Sequence, residues 1–436
     1  MGTVGPNSPP RSTRVGQFID VRRLLVGLDL YYGWFVVASC FLGGLLIYGL
    51  LYSFSVFFGH LVTAFGMSHA NTSLIFSLQS VMMYVGAAVF GFTIDRYDVR
   101  RLFALGSVLI VGGLFGTSIF SSFIGVLVCY GIAVGTGFSI VMVIAYVTPV
   151  FWFERRRGVA TGIATAGAGV GMMAMPPFAR LLIAALGWQR AYFALALLVS
   201  VALAVATVLI ADRPERLGID ASAEFVTTAD DRSYPSAREQ LRDVRSVVLS
   251  PSFAVFFLAF LGSYLVPLSL TVNFVEFARS VDIGAQAGVF AISVIGATNT
   301  IGKFVTGYLA DRLDTTHVLA GNAVVIGVLT VPITQIHDAG VVLAMSALFG
   351  FGYAGLGALM TPVMADLFGA ENLNGLFGVA SVSSAFAGAL GPYLANLSFD
   401  LYGTYIPVFL GMALISVLSA GLFLLARQWA ATGVRG

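Results

Sequence analysis

Charge is scarce in this sequence. Charged residues make up 10% of the 436 residues, hydrophobic residues make up 58%, and the mean hydropathy is +0.92. A soluble domain carries about 25% charged residues, so the composition excludes a water-soluble globular protein and a disordered one. The 23 basic and 21 acidic residues nearly cancel, so a net charge of +2 offers no basic surface for nucleic acid. We predict a polytopic membrane protein.

Residues that build metal, redox and nucleotide sites are also scarce. The two cysteines, Cys40 and Cys129, lie inside apolar runs, which indicates packing residues rather than a disulfide. The four histidines lie near predicted loops without metal-ligand spacing. No GxxxxGK[ST] motif is present, nor is a cluster of acids or a nucleophile–base pair that a membrane enzyme would need. We therefore expect no enzymatic activity, no cofactor and no metal.

Long apolar runs fill the rest of the chain. Charged and Pro/Gly-rich breaks separate twelve runs of the length that crosses a bilayer, which predicts an all-α protein of two six-helix halves. We place the runs near 34–58, 72–94, 102–120, 123–150, 159–184, 190–211, 252–275, 286–310, 317–336, 340–364, 373–397 and 403–426. The first 30 residues are polar and do not resemble a signal peptide.

Arginine is distributed unevenly between the two sides of the predicted bundle. If the N-terminus is cytoplasmic, 19 of the 22 arginines face the cytoplasm, and only Arg180, Arg190 and Arg279 face outward. The positive-inside rule therefore predicts that both termini are cytoplasmic. The predicted organisation is a tail (1–31), a six-helix bundle (32–211), a polar linker (212–250), a second bundle (251–428) and a short tail (429–436).

Two segments of the first half recur in the second half. GAAVFGFTIDRYDVRR (86–101) matches GKFVTGYLADRLDTTH (302–317) in the spacing of its glycines and its Asp-Arg pair. GVATGIATAGAGVG, from Gly158, matches GLFGVASVSSAFAG, from Gly375. Small-residue helices and Asp-Arg turns recur in many membrane proteins, but two matched pairs at corresponding positions are typical of 6+6 transporters. Their substrate site lies between the halves near the midplane.

Several stretches resemble a known family. GFTIDRYDVRR (91–101) is similar to the loop signature of the major facilitator superfamily. YYGWFVV (31–37), YSFSVFF (52–58) and FWFERRRGVATGIATAGAGVG (151–171) resemble the monocarboxylate transporter branch and its prokaryotic relatives, including oxalate–formate exchangers. The resemblance implies a twelve-helix carrier with the major facilitator fold.

The only lysine, Lys303, lies inside the eighth predicted span. It precedes Asp311 by eight residues, about 12 Å of helix rise, so it lies close to the midplane of a ~30 Å hydrocarbon core. A cation there costs roughly 2.5–3.5 kcal/mol, and the repeat places Ala87 at the equivalent position. No Asp or Glu lies well inside a run. We predict that Lys303 binds the carboxylate of an anion; the alternatives are a snorkelling lysine or a structural ion pair.

Asn299 lies one turn before Lys303 on the same helix face, and we expect it to orient the substrate. By resemblance, animal monocarboxylate transporters have Asp-x-x-x-Arg here and some bacterial relatives have Asn-x-x-x-Arg, so this chain keeps the cation but lacks the aspartate. Proton coupling would then depend on Lys303 itself. The exchangers' second basic residue in span 11 is also missing, with Ser381 nearest its place, which disfavours a compact dicarboxylate.

Tyrosines can hydrogen-bond a carboxylate while covering its apolar side. Among the tyrosines inside the apolar runs, the candidates for this role are Tyr48, Tyr52, Tyr130 and Tyr353. The resemblance implies that tyrosines of spans 4 and 10 line the site, which favours Tyr130 and Tyr353. Packing is the alternative role for each of them, and Ser381 could equally hydrogen-bond across helices.

Charged residues at the ends of spans 2 and 8 are candidate gating residues that close the cytoplasmic side. They are Asp95, Arg96, Arg100, Arg101, Asp311 and Arg312. The alternative is that these arginines only satisfy the positive-inside rule.

Together these features predict a secondary active transporter that moves a small monocarboxylate, of the lactate or pyruvate kind, across the cytoplasmic membrane by alternating access. The alternatives are an exchanger of other small organic anions of the oxalate–formate type, and a non-transporting membrane receptor. Proton symport, exchange and facilitated diffusion remain open. The expected partners are the organic anion, the lipid bilayer and, if transport is coupled, protons; we expect the carrier to work as a monomer.

Overall fold

The computed structural model describes residues 31–91, 97–153, 157–211, 244–310, 312–336, 338–369 and 373–432, without the side chains of residues 150, 157, 158 and 374. Twelve helical spans in these ranges are long and apolar enough to cross a membrane. They are α1 (Gly33–Phe65), α2 (His69–Gly91), α3 (Val99–Ile119), α4 (Phe123–Val126, Leu127–Val134 and Gly135–Trp152), α5 (Arg157–Leu186), α6 (Trp188–Leu209), α7 (Pro251–Ser280), α8 (Ala285–Ala310), α9 (Thr315–Gln335), α10 (Ala339–Phe368), α11 (Leu373–Tyr402) and α12 (Ile406–Ala431). The prediction of twelve helices is confirmed.

Local signals account for where several helices begin. Asp98, Ser250, Asp314 and Asp338 precede α3, α7, α9 and α10, and each side chain accepts a hydrogen bond from a backbone N–H of the first turn. Such caps satisfy donors that have no partner within the helix. Several helices run past the predicted apolar runs: α1, predicted to end near residue 58, continues to Phe65 and is followed by Gly66, which has a left-handed φ of 59°.

The two halves repeat the same packing. In the first half (α1–α6) the pairs α1–α5, α2–α4 and α3–α6 are in contact, and in the second half (α7–α12) the corresponding pairs α7–α11, α8–α10 and α9–α12 are in contact. The main contacts between the halves are α2 with α11 and α5 with α8, which are again equivalent positions. The sequence repeat is therefore a structural repeat.

Small residues allow the halves to approach closely. At the α5–α8 crossing, a Cβ atom on Gly296 would lie 2.6 Å from the Met173 nitrogen and 2.9 Å from the Gly169 oxygen. Both neighbours are backbone atoms that cannot move aside. The two backbones are therefore in direct contact, as is common where membrane helices pack through small residues.

The bundle has two ends, which we name by their connections. The linker end is where α1 begins, α6 ends and α7 begins; the loop end is the opposite one, where α1 turns into α2 and α11 turns into α12. At the loop end the halves are joined between α1 and α7, where the Val275 N–H donates to Ser55 Oγ at 3.4 Å. The Glu276 carboxylate also lies against the backbone of Gly59.

Candidate functional site

A cavity lies between the two halves and receives residues from eight helices. Its empty volume is about 1290 Å³, including the part open to solvent. The lining runs from Tyr52 and Tyr264 in the middle of the bundle to Gly91 and Phe151 near the linker end. The lining residues are Tyr48, Tyr52, Tyr84, Ala87, Gly91, Met142, Val143, Tyr146, Val147, Phe151, Ala168, Met172, Tyr264, Asn299, Lys303, Tyr353, Ala354, Gly357, Met360, Phe377, Gly378, Ser381 and Ser384.

Lys303 is the only residue with an ionised side chain among the described residues that line this cavity. It is half-buried on α8, and its Nζ donates a hydrogen bond to the backbone oxygen of Thr165 on α5 at 3.2 Å. A single carbonyl dipole is a weak partner for an ammonium that can donate three hydrogen bonds. The remaining donors of Lys303 are available to an anion in the cavity.

Asn299 lines the same cavity one helical turn from Lys303, and it is 8% exposed. Its amide can donate to an oxygen or accept from a hydroxyl, so the pair offers a cation beside an adaptable polar group. Ala87, which the repeat pairs with Lys303, lines the cavity from α2 in the first half. The two equivalent positions therefore both reach the cavity, and only the second carries charge.

Tyr52 and Tyr353 connect the two halves across the cavity. Their hydroxyl oxygens lie 2.6 Å apart and share a buried hydrogen bond between α1 and α10. Tyr48 stacks on Tyr52 with ring centroids 6.3 Å apart, and Tyr264 meets Tyr353 edge-on at 6.2 Å. The four rings form a continuous aromatic layer across the middle of the bundle.

Three more tyrosines line the cavity that the sequence reasoning did not select: Tyr84, Tyr146 and Tyr264. Tyr146 donates to the Tyr48 hydroxyl at 3.4 Å. Tyr84 carried a usable signal, because it lies three residues before Ala87 on the same helix face. Tyr146 and Tyr264 had no comparable signal in the sequence.

Tyr130 does not join this group. It lies in the π-helical segment Leu127–Val134 of α4, its ring lies 5.5 Å from Phe54, and its hydroxyl donates to the Leu50 oxygen at 3.1 Å. It is 1% exposed and is not a lining residue. The residue of the fourth span that reaches the cavity with a hydroxyl is Tyr146, some four turns further along.

Ser381 and Ser384 on α11 add two hydroxyls to the lining. The Ser381 hydroxyl donates to the Phe377 oxygen one turn earlier at 2.7 Å. The hydroxyl hydrogen is therefore used, and the oxygen can still accept a hydrogen bond. Much of the remaining wall is apolar, with Met142, Met172 and Phe151 among its members. The cavity therefore combines one cation and several hydroxyls with an apolar surface, which suits an anion that has an organic substituent.

The candidate gating residues are described only in part, because Asp95, Arg96 and Asp311 lie outside the described residues. Nε of Arg100 donates to the Thr207 oxygen on α6 at 3.1 Å. The guanidinium of Arg312 lies 4.7 Å from the centre of the Tyr308 ring, a cation–π distance. The backbone N–H of Arg101 donates to the Asp98 cap. Gating by these residues stays a prediction.

The sequence matches the Major Facilitator Superfamily over residues 40–392, with a second match over residues 284–431. It is 25% identical over 406 residues to monocarboxylate transporter 12 of Xenopus laevis, covering 87% of this chain and 85% of that protein. It is 26% identical over 401 residues to monocarboxylate transporter 3 of Rattus norvegicus, covering 90% and 79%. It is also 26% identical over 381 residues to the MFS-type transporter pynF of Aspergillus niger, covering 82% and 81%.

Proposed function

Because the chain belongs to the Major Facilitator Superfamily, with its similarity in the monocarboxylate transporter branch, we propose that it carries a small monocarboxylate of the lactate or pyruvate kind by alternating access. The protein is a multi-pass membrane transporter and not an enzyme. In the proposal it lies in the cell membrane with both termini in the cytoplasm, as its arginine distribution favours, and works as a monomer.

One observation carries the proposed substrate class: Lys303 is the sole lysine of the chain and lines the cavity between the halves. In the proposal the Lys303 ammonium pairs with the substrate carboxylate and Asn299 orients its 2-oxo or 2-hydroxy group. A lysine is a point charge without the planar fork of arginine, and it suits one carboxylate better than two. An exchanger of other small organic anions is the second candidate, since a lone cation would also accept them.

Tyr48, Tyr52, Tyr353 and Ser381 complete the proposed site. All four residues line the cavity, and the tyrosine hydroxyls that hydrogen-bond one another can exchange those bonds for bonds to a carboxylate. A receptor that does not transport would need no site shared between two halves, which is why transport is favoured over reception.

The test is uptake of labelled lactate, pyruvate, formate and oxalate into proteoliposomes, by wild type and by Lys303→Gln and Lys303→Arg. We expect uptake of monocarboxylates by wild type, a loss of at least tenfold in Lys303→Gln, and partial activity in Lys303→Arg, which keeps the charge. Runs with an imposed pH gradient and with preloaded anion separate proton symport from exchange. Wild-type rates in Lys303→Gln would contradict the proposed site.

A further inference from the structure

A carboxylate of the second half binds the start of a helix in the first half. Asp400 lies near the end of α11, and its side chain reaches the first residues of α2. One carboxylate oxygen accepts from the His69 backbone N–H at 3.1 Å, and the other accepts from the Ala70 backbone N–H at 2.7 Å. The first oxygen also lies 3.0 Å from His69 Nδ1, which donates to it in the tautomer that carries the ring hydrogen there. We call these contacts of Asp400 with His69 and Ala70 the loop-end contact.

The loop-end contact satisfies donors that α2 cannot satisfy within itself, because the first four N–H groups of a helix have no partner inside it. Ser68 accepts from the Asn71 N–H at 3.2 Å, as a local cap does, whereas the acceptor for His69 and Ala70 comes from the opposite half of the chain. An ionised acceptor makes stronger hydrogen bonds than a neutral one, and the partial positive charge at the start of a helix adds to the attraction. Asp400 is therefore a well-matched partner for α2, but only while the two halves are together.

Water reaches the loop-end contact only in part. The side chains of His69 and Asp400 are 25% and 19% exposed. The His69 ring packs edge-on against Phe399 of α11 with ring centroids 4.8 Å apart, and it lies 6.1 Å from the Phe58 ring of α1. Because these rings exclude part of the solvent, water weakens the bonds to Asp400 less than it weakens those of a fully exposed carboxylate.

A second carboxylate of the second half also meets the backbone of the first half at this end. Glu276 on α7 is held by Arg279 one turn later, with Oε1 and Nη1 2.7 Å apart, and its side chain is 13% exposed. A Cβ on Gly59 of α1 would collide with the Glu276 carboxylate and would lie 2.7 Å from Arg279 Nη1. The ion pair therefore packs into a notch in α1 that exists because residue 59 is a glycine.

Asp338 makes a similar bond that does not cross between the halves. It precedes α10 at the loop end, and its side chain accepts from the Val341 backbone N–H at 2.9 Å, three residues along the same chain segment. That bond survives any separation of the halves, whereas the bonds of Asp400 must break. The free energy of the Asp400 bonds therefore differs between a closed and an open loop end, and only such a difference can shift the population of the two.

We propose that Asp400 is the latch residue of the loop end: its bonds to the start of α2 favour the conformer in which this end is closed, and they break whenever the end opens. The packing of Glu276 against Gly59 favours the same conformer at a second pair of helices. Weakening either contact raises the fraction of molecules with an open loop end. The inference rests on the alternating access proposed above.

The test measures the separation of the halves at the loop end and needs no substrate. Spin labels are attached to Ala64→Cys near the end of α1 and Gln335→Cys at the end of α9, which are exposed positions in opposite halves. Cys40 and Cys129 are replaced by alanine. Pulsed electron–electron double resonance in nanodiscs gives the fraction of molecules at the longer distance, and thermal unfolding of each variant reports its stability.

We expect the long-distance fraction to rise severalfold in Asp400→Asn, which keeps the size of the side chain but loses its charge and one acceptor, and further in Asp400→Ala. Gly59→Ala should raise it as well, because the added methyl group displaces the ion pair of Glu276. Asp338→Ala is the matched control: it should lower the melting temperature through the lost cap and leave the distances unchanged.

Unchanged distances in both Asp400 variants would overturn the proposal, and so would an equal shift in Asp338→Ala, which would mean that the loss of any cap loosens this end. Asp400→Asn keeps the test valid if Asp400→Ala folds poorly. Failure of the transport proposal is a separate result, because it would appear as absent monocarboxylate uptake by the wild type, whereas the distances are measured without substrate.

Discussion

At the scale of single residues, the structure separates side chains that line the cavity from side chains that pack inside one half. The charge of Lys303, the amide of Asn299 and a layer of tyrosines meet in one cavity, while the hydroxyl of Tyr130 is used to bind a backbone oxygen. The difference between a lining residue and a packing residue is thus a matter of which face of its helix each occupies. Substitutions at this scale should change affinity or conformation without unfolding the bundle.

The hydrogen bond between Tyr52 and Tyr353 gives a prediction at this scale. We expect Tyr52→Phe and Tyr353→Phe each to remove the stabilising free energy of one hydrogen bond, about 0.5–1.5 kcal/mol. Because the bond joins the two halves beside the proposed site, its loss should appear as a several-fold change in the apparent affinity for substrate. Because both substitutions delete the same bond, the double variant should cost little more than either single one. Uptake kinetics of the three variants check this, with Tyr130→Phe as a control outside the cavity; strictly additive losses would mean that the hydroxyls act separately.

A second residue-scale prediction concerns Asp314, the cap of α9. Burial raises the pKa of its carboxyl, but hydrogen bonds from His317 and the charge of Arg427, 2.6 Å away, outweigh that effect and leave the pKa below its ordinary value. A depressed pKa stabilises the folded state above the ordinary value, and this contribution is lost as pH falls below about 4.

Thermal unfolding in detergent at pH 7 and pH 3.5 checks this. Asp314→Asn, which keeps the capping oxygen, should lower the melting temperature slightly at pH 7 and not at pH 3.5. Asp314→Ala should cost about 1 kcal/mol more, because the cap itself is lost. An unchanged melting temperature for Asp314→Asn at pH 7 would mean that the charge contributes nothing, and equal losses for both variants would mean that the cap contributes nothing.

At the scale of helices, the repeat governs the packing. Each pair within the first half has its counterpart in the second, and the contacts between halves pair α2 with α11 and α5 with α8. Small residues at these crossings bring backbones together, so volume added there acts on the interface that would move in the proposed alternating access.

Two glycines of α8 form a matched pair for testing this crossing. A Cβ on Gly296 would meet backbone atoms at 2.6 and 2.9 Å, whereas a Cβ on Gly307 would meet nothing within 4 Å. We expect Gly296→Ala to destabilise the protein by about 1–3 kcal/mol through overpacking and to slow transport, and Gly307→Ala to be neutral or slightly stabilising. Melting temperatures and uptake rates check this; equal behaviour of the two variants would contradict direct backbone contact.

At the scale of the whole molecule, the halves meet at the loop end and the cavity extends toward the linker end. His69 with Asp400 and Ser55 with Val275 join the halves at one end, and the lining reaches Phe151 and Gly91 at the other. This is the arrangement that the proposed alternating access requires of one of its two principal conformers.

Accessibility of a cavity residue tests the conformer and the orientation together. A cysteine in place of Ser381, in a chain without Cys40 and Cys129, should react with a membrane-impermeant thiol reagent in inside-out vesicles faster than in intact cells. Excess substrate should slow the reaction. Asn71→Cys, exposed at the loop end, is the control and should show the opposite sidedness. If Ser381→Cys reacted mainly in intact cells, either the orientation or the resting conformer would be wrong.

The sequence alone determined the twelve helices, the division into halves and the singular position of Lys303. These follow from the length of the apolar runs, from internal repetition and from the cost of a charge in a bilayer. Each of these can be recognised without knowing how the helices pack. The family resemblance, which the comparisons support, added the substrate class that is proposed here.

Only the tertiary structure decided which tyrosines line the cavity and that Asp400 meets His69. The helices are apolar on faces that contact lipid as well as on faces that contact protein, so periodicity does not reveal which face of a helix points inward. Periodicity therefore does not distinguish Tyr130 from Tyr146 on the same span, and the packing places only Tyr146 at the cavity. Contacts such as Asp400 with the start of α2 join residues 331 positions apart, and they exist only because the packing of two six-helix halves brings those helix ends together.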